Sequence, residues 1–62
     1  MTYHTVTLGD CLSVANKKDK MRLLMIRDLD LLKRLALKWC DQNGYKLGNY
    51  IGKDRWDASS IK

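Results

Sequence analysis

Apolar side chains recur with the period of an α-helix between residues 16 and 44, the stretch that holds most of the large aliphatic residues. At 100° per residue, the main apolar set falls within one half of a helical wheel. Asp19 suits the N-cap of this helix, and Gly44 suits the left-handed position that ends it. The pattern predicts a central helix of about 24 residues. Its apolar half would consist of Met21, Leu24, Met25, Leu29, Leu31, Leu32, Leu35, Ala36, Trp39 and Cys40.

Asp28 interrupts this apolar half. No cation on the same helix can reach it, since its neighbours three and four positions away are Leu24, Met25, Leu31 and Leu32. A buried carboxylate without a partner is costly, so one of two structures must relieve it. Either the helix breaks near Arg27, with Asp28 or Asp30 capping a second helix that runs to Asn43, or the helix is continuous and Asp28 meets a donor from elsewhere. We favour the break.

A second, thinner apolar strip lies on the polar side of the same wheel and consists of Leu23, Ile26 and Leu37. A chain of 62 residues has a thin core, and proteins of this size are commonly supported by association. The strip is therefore a candidate interface, and we expect a homo-oligomer.

The N-terminal residues favour other elements. Thr2 to Leu8 is rich in β-branched and aromatic residues and predicts a short strand. Thr7 and Asp10 have the spacing of a capping box. The short helix that follows would bury Leu8, Cys11, Leu12 and Ala15 and end at the polar run that begins with Asn16.

After Gly44 the hydrophobic period changes to that of a small β element, for which two hairpins are possible. The first turns at Gly48-Asn49. The second extends from Tyr45 to Ile51, turns at residues 52–54 and returns through residues 55–56. Residues 57–62 are small and polar and are expected to fray. The whole pattern predicts one small α+β domain over residues 1–62, mainly helical, with a short N-terminal strand, a short helix, a long and possibly broken central helix, and a C-terminal β-hairpin or ordered loop.

Composition narrows the functional classes. The net charge is +5, and residues 17–43 carry eight Lys or Arg against four Asp. No run approaches the roughly 18 apolar residues of a membrane span, and the N-terminus lacks the features of a signal peptide, so we expect a cytoplasmic protein without a membrane partner. Cys11 and Cys40 lie 29 positions apart among apolar neighbours, which indicates two buried free thiols and no metal site. No cofactor is expected.

Catalytic residue patterns are absent from the sequence. No Ser/His/Asp, Cys/His or paired-carboxylate arrangement has a usable spacing, and no glycine loop has the context that phosphate binding needs. His4 is expected to be a surface or edge-strand residue, since no nucleophile or carboxylate stands near it in a recognisable pattern. We therefore do not expect an enzyme.

The basic residues predict a small regulatory protein that binds DNA or another nucleic acid. Lysines and arginines can neutralise phosphates, while interleaved aromatic rings can stack on bases. The alternative for the rings is that they cover a small core. The candidate binding residues are Arg27, Lys33, Arg34, Lys38, Lys46, Tyr50, Lys53, Arg55 and Trp56.

In element order alone, a short helix, a main helix and a hairpin "wing" resemble winged-helix and small phage-repressor domains. The chain shows no helix-turn-helix sequence motif. An alternative function follows from the surplus of apolar residues over what so small a core can cover. In this alternative, the chain is a phage- or plasmid-type accessory protein that binds and inhibits a host protein through an apolar helix face.

Overall fold

The computed structural model describes residues 2–61 and has the α+β architecture that the sequence predicts. Three helices are combined with a three-stranded antiparallel sheet of strand order β1-β3-β2. In chain order the elements are β1 (Tyr3–Val6), α1 (Leu8–Ser13), α2 (Lys17–Met25), α3 (Leu29–Asn43), β2 (Tyr45–Gly52) and β3 (Arg55–Ser60).

Helix α1 begins with the capping box that the sequence predicts. The Thr7 hydroxyl accepts a hydrogen bond from the Asp10 backbone N–H at 3.3 Å, and the Thr7 N–H donates to the Asp10 carboxylate at 3.2 Å. These two bonds satisfy donors that every helix N-terminus leaves unpaired. The helix buries Cys11 and packs against α3.

Helix α2 begins three residues before the expected position. Its N-cap is Asn16, whose side-chain oxygen accepts from the Asp19 N–H at 2.7 Å. The expectation that Asp19 caps the helix is therefore wrong. Asn caps a helix about as well as Asp and stands earlier in the chain, so Asp19 falls in the first turn instead.

The predicted break between two helices is confirmed. At Ile26 the backbone leaves the helical region, with φ −131° and ψ 115°, and α2 ends there. Asp28 is the N-cap of α3, and its carboxylate accepts from the N–H groups of Asp30 at 3.0 Å and Leu31 at 3.4 Å. The carboxylate that would have been costly inside one helix thus stabilises the start of the next.

The break also changes which side of α2 faces the core. Leu23, placed on the polar side of a continuous helix, is fully buried. Met21, Leu24, Met25 and Leu29, expected in the core, are exposed instead. The predicted burial was wrong for the residues of α2 because it assumed one continuous helix. Residues Ile26–Asp28 are not helical, so the helical phase of α2 is independent of that of α3. Helix α3 keeps the predicted core residues Leu31, Leu32, Leu35, Ala36 and Cys40.

The second of the two possible hairpins forms. Helix α3 ends at Gly44, which has φ 75° and whose N–H donates to the Cys40 carbonyl. Strand β2 then runs to Gly52, and a two-residue turn at Lys53-Asp54 leads into β3. Gly48 and Asn49 lie within β2, where the register shifts between Leu47 and Tyr50.

Strand β3 is the centre of the sheet. Ser59 pairs with Tyr3 of β1 on one side and with Lys46 of β2 on the other. The expectation that residues 57–62 fray is wrong for residues 57–60, because both neighbouring strands pair with them; Lys62 lies outside the described residues.

One hydrophobic cluster holds the sheet against α1, α2 and α3. Every element except β2 contributes to its buried set, and Tyr45 and Leu47 of β2 are partly buried against it. The buried residues are Val6, Cys11, Leu23, Leu31, Leu32, Leu35, Ala36, Cys40, Trp56 and Ala58. Helix α2 contributes Leu23 alone. Within residues 2–61, the helices are too short and too polar to cross a lipid bilayer.

Replacing Asp28 tests the break. We expect Asp28→Ala to lower the free energy of unfolding by about 1 kcal/mol, because two N–H groups of α3 lose their acceptor, while Asp28→Asn retains most of the cap. Urea unfolding measures both. Asp30→Ala is the matched control, since that exposed carboxylate belongs to the same turn without capping it. Equal losses for Asp28→Ala and Asp30→Ala would contradict the role of the cap.

Gly48 is constrained by a close approach. A Cβ at this position would lie 2.9 Å from Cγ of Asp57, whose carboxylate accepts from the Asn49 N–H. We expect Gly48→Ala to destabilise the protein by about 1–3 kcal/mol, as overpacking does. Gly9→Ala is the control, because a Cβ there meets only the Thr7 hydroxyl at 3.6 Å, an ordinary contact. A melting temperature unchanged by Gly48→Ala would show that Asp57 moves aside freely.

Candidate nucleic-acid interface

Three of the predicted binding residues share the solvent side of α3. Lys33, Arg34 and Lys38 are all exposed and alternate with the buried positions of the helix. Within residues 2–61, none of the three forms an ion pair. We call the exposed side of this helix the α3 outer face; its residues are Asp30, Lys33, Arg34, Leu37, Lys38 and Asp41.

Lys46 and Arg55 lie on a different surface. Lys46 pairs with Ser59, which is next to the buried Ala58 in β3, and Arg55 is next to the buried Trp56. Because side chains alternate along a strand, both cations project from the side of the sheet that the helices leave uncovered. We call this side the sheet outer face. The predicted cations therefore do not form one continuous surface.

Arg27 links the corner between α2 and α3 to the tip of the hairpin. Its guanidinium lies in the corner between α2 and α3 and pairs with the carboxylate of Asp54 at the tip of the hairpin. With its charge already partnered, Arg27 is placed to position the hairpin rather than to offer a free cation.

The hairpin tip adopts an unusual backbone conformation. Lys53 and Asp54 have φ values of 53° and 58°, both in the left-handed region that asparagine and glycine prefer in such turns. Besides the bond to Arg27, the Asp54 N–H donates to the Tyr50 hydroxyl at 3.1 Å. These contacts hold the strained turn in place, and they leave Lys53 exposed at the tip.

Two aromatic residues expected to stack on bases have structural roles. Trp56 is 8% exposed, so its predicted role as a stacking platform is wrong: the ring belongs to the core. Tyr50 packs edge-on against it, with ring centroids 5.0 Å apart. Among the described residues, the buried Trp56 Nε1 has no hydrogen-bond partner, which is a cost that the packing of the ring must offset. The alternative interpretation, that the rings cover a small core, describes Trp56.

The predicted apolar interface does not exist as one strip. Leu23 is part of the core, Ile26 lies in the corner, and Leu37 lies on the α3 outer face. The prediction assumed one continuous helical phase, which the break at Ile26–Asp28 removes. The exposed apolar surface lies elsewhere, on α2.

An aromatic cluster joins β1 to α3 and to the start of β2, and sequence reasoning missed it. The His4 ring stacks on Trp39 with centroids 4.6 Å apart and contacts Tyr45 at 5.6 Å. Its Nε2 lies 3.1 Å from the carboxylate of Asp10, the same group that closes the capping box of α1. His4 is an edge-strand residue as expected. Asp10 lies beside it because α1 follows β1 directly in the chain, a proximity that the sequence pattern did not indicate.

This cluster packs side chains of β1, α3 and β2 against one another. The hydrogen bonds of the described residues give the His4 side chain a single partner, Asp10. The Ser13 hydroxyl, three positions after Asp10, donates to the Asp10 backbone carbonyl at 2.6 Å.

Both thiols are buried and free, as expected. The Cys11 thiol donates to the Leu32 carbonyl at 3.7 Å. Burial, and after it the charge of Asp10, raises the pKa of Cys11 from 9.0 to about 11. Burial likewise raises the pKa of Cys40. In residues 2–61, no group of three His, Cys, Asp or Glu side chains could hold a metal ion.

A polar groove separates α2 from α3. It has a volume of about 340 Å³ and mixed charge, with the lining residues Asp19, Arg22, Asp28, Asp30, Leu31 and Arg34. Arg22 reaches Asp28 at 3.5 Å, so part of the charge is compensated internally. The groove therefore does not define a site for an anion or a cation.

Comparison with known proteins identifies no relative. No protein-family model, curated protein or solved structure matches the chain.

The buried thiols predict a pH dependence of stability. Between pH 9 and 11 the unfolded thiols ionise while Cys11 keeps its proton, so the unfolded state binds fewer protons and the free energy of unfolding falls as the pH rises. Below pH 9 this contribution is fully present. Urea unfolding at pH 8 and pH 10 measures the loss, and Cys11→Ala should reduce it. If wild type and Cys11→Ala lose equal stability, the Cys11 thiol is not its source.

Proposed function

We propose that the chain is a non-catalytic DNA-binding protein that contacts the duplex with the α3 outer face and the tip of the hairpin. The observation that carries this proposal is the arrangement of two helices joined by the three-residue corner Ile26–Asp28 and followed at once by a hairpin. Two helices joined by a turn of three or four residues form the unit whose second helix enters the major groove in DNA-binding proteins. The hairpin that follows retains the element order of a winged helix.

The dimensions and exposure of α3 suit this role. Its 15 residues make a rod of roughly 22 Å, and its outward side chains have no other element over them. Lys33, Arg34 and Lys38 are cations without an internal ion pair among the described residues. Such residues can neutralise phosphates along the edge of a groove.

Two aspartates on the α3 outer face limit its expected affinity for DNA of random sequence. Asp30 and Asp41 lie on the α3 outer face with the three cations, so its net charge is only slightly positive. Binding to random sequence should then be weak, and a preferred site would gain its affinity from base or shape contacts. Lys53 at the hairpin tip adds one further cation, held in place by the pairing of Arg27 with Asp54.

Charge reversal on two opposite surfaces tests this function. We expect the double variant Arg34→Glu/Lys38→Glu to weaken binding to a 30-base-pair duplex at least tenfold at 50 mM salt. The double variant Lys46→Glu/Arg55→Glu changes the net charge equally but alters the sheet outer face, so its effect should be several-fold smaller. Fluorescence anisotropy measures both. Three to four phosphate contacts predict a slope of about −3 when log affinity is plotted against log salt.

Two results would contradict the proposal. One is the absence of wild-type binding at 50 mM salt to every duplex in a random-sequence selection. The other is an equal loss in the two double variants, which would show that net charge alone drives the association.

A second candidate function is binding to another protein, through exposed apolar residues on α2 rather than the strip first expected. A homo-oligomer in the cytoplasm remains a prediction for either function, and sedimentation velocity measures the association state directly.

A further inference from the structure

Helix α2 is covered by the rest of the protein on one side only. Leu23 is its sole buried residue, whereas Met21, Leu24 and Met25 are 55%, 61% and 80% exposed. Positions i, i+3 and i+4 share one helix face, so these three side chains form a continuous stripe that points away from Leu23. We call it the α2 stripe.

The apolar surface continues past the end of the helix. Ile26 in the corner is 63% exposed, and Leu29 at the start of α3 is 52% exposed. Together with the α2 stripe, half of the exposed large apolar residues of the described chain fall between positions 21 and 29. Exposed apolar residues scattered singly are ordinary, but a contiguous group of this kind marks an interaction surface.

The same segment carries most of the protein's net charge. Residues 17–27 contain five basic residues and one aspartate, a net charge of +4 out of the +5 of the whole chain. By the 100° spacing of a helix, Lys20 lies on one side of the α2 stripe and Lys18 on the other, with Lys17 one turn before Met21. Within residues 2–61 no ion pair involves these three lysines. The stripe therefore has an uncompensated basic rim.

The apolar α2 stripe and its basic rim together indicate which kind of molecule binds there. A second copy would bring the same lysines face to face across a twofold axis, because a symmetric interface repeats one surface on both sides. The phosphates of a DNA backbone would pair with the lysines, but they would also lie against the apolar side chains of the α2 stripe, which is unfavourable. Interfacial membrane helices use aromatic anchors, and residues 16–38 contain no aromatic side chain.

We propose that the α2 stripe docks into an apolar groove of a partner protein whose rim is acidic. The α2 stripe supplies apolar side chains at positions i, i+3 and i+4, the spacing with which a helix binds in a groove. The flanking lysines pair with carboxylates on the rim of the partner, and this charge complementarity disfavours other proteins. This surface is separate from the α3 outer face, so partner binding is independent of the proposed contact with DNA.

The test compares four tagged double variants with the wild type in nuclease-treated lysate of the source cells, followed by titration with the purified captured protein. Leu24→Ser/Met25→Ser removes the anchors, and Lys17→Glu/Lys18→Glu reverses part of the rim. Lys46→Glu/Arg55→Glu is the control that carries the same charge change on the sheet outer face. All of these residues are exposed, and circular dichroism verifies that each variant folds.

The expected result is a partner with an acidic surface, bound at least tenfold more weakly by the first two variants and with wild-type affinity by the control. Arg34→Glu/Lys38→Glu should also keep wild-type affinity for it, which separates this surface from the DNA-binding one. The proposal is overturned if no captured protein distinguishes the wild type from the anchor variant, or if the rim variant binds as well as the wild type.

Two parallel measurements test whether the α2 stripe binds a membrane or a second copy of the chain instead. Either of the following results would also overturn the proposal. The first is sedimentation with vesicles of phosphatidylcholine and phosphatidylserine at a ratio of 7:3, bound by the wild type but not by the anchor variant. The second is analytical ultracentrifugation in which the wild type is a dimer and the anchor variant a monomer.

Discussion

The carboxylate of Asp28 accepts hydrogen bonds from the first N–H groups of α3, and the arrangement of the helices depends on this cap. Inside a continuous helix, the same group would have been buried among leucines and methionines without a partner. At the corner it is half-buried, it satisfies a helix terminus, and Arg22 lies 3.5 Å away. The chain therefore turns at this point and makes two helices of ordinary length.

The corner has consequences at the other end of the chain. Arg27, one residue before the cap, pairs with Asp54 in the hairpin turn, where Lys53 and Asp54 both have left-handed backbones. Strain of this kind persists only where the surroundings hold it. The ion pair between Arg27 and Asp54 thus links the corner to the hairpin tip and holds the hairpin beside the start of α3. That fixed relation supports the proposed role of the hairpin as a wing.

Charge and apolar exposure divide the surface into three regions with different chemistry. The α3 outer face has free cations diluted by two aspartates, and the sheet outer face carries Lys46 and Arg55. The α2 stripe has a basic rim around apolar side chains. A single polyanion cannot satisfy all three regions, because they point in different directions and because the α2 stripe requires an apolar partner. The two proposed contacts, one with DNA and one with a partner protein, therefore use separate surfaces.

The sequence alone determined the features that depend on nearby residues. The capping box at Thr7 and Asp10, the end of α3 at Gly44 and the two buried thiols all follow from short-range hydrogen bonding and hydrophobic spacing. At Asp28 the sequence favoured a break over a continuous helix without deciding between them. It left open which of two hairpins forms, because both have glycine-containing turns. Pairing of β3 with two neighbours decided that, and the same pairing ordered residues expected to fray.

Only the tertiary structure decided which side of each element faces solvent. The helical phase of α2 relative to α3 depends on the backbone at Ile26–Asp28, which no periodicity encodes, so Leu23 proved buried and Met21, Leu24 and Met25 exposed. For the candidate site, sequence reasoning identified the cations of α3 but joined them to Lys46, Arg55 and Trp56, which the packing of the sheet places elsewhere. Local chemistry could show where the chain turns, whereas the surface that results depends on how the separate elements pack against one another.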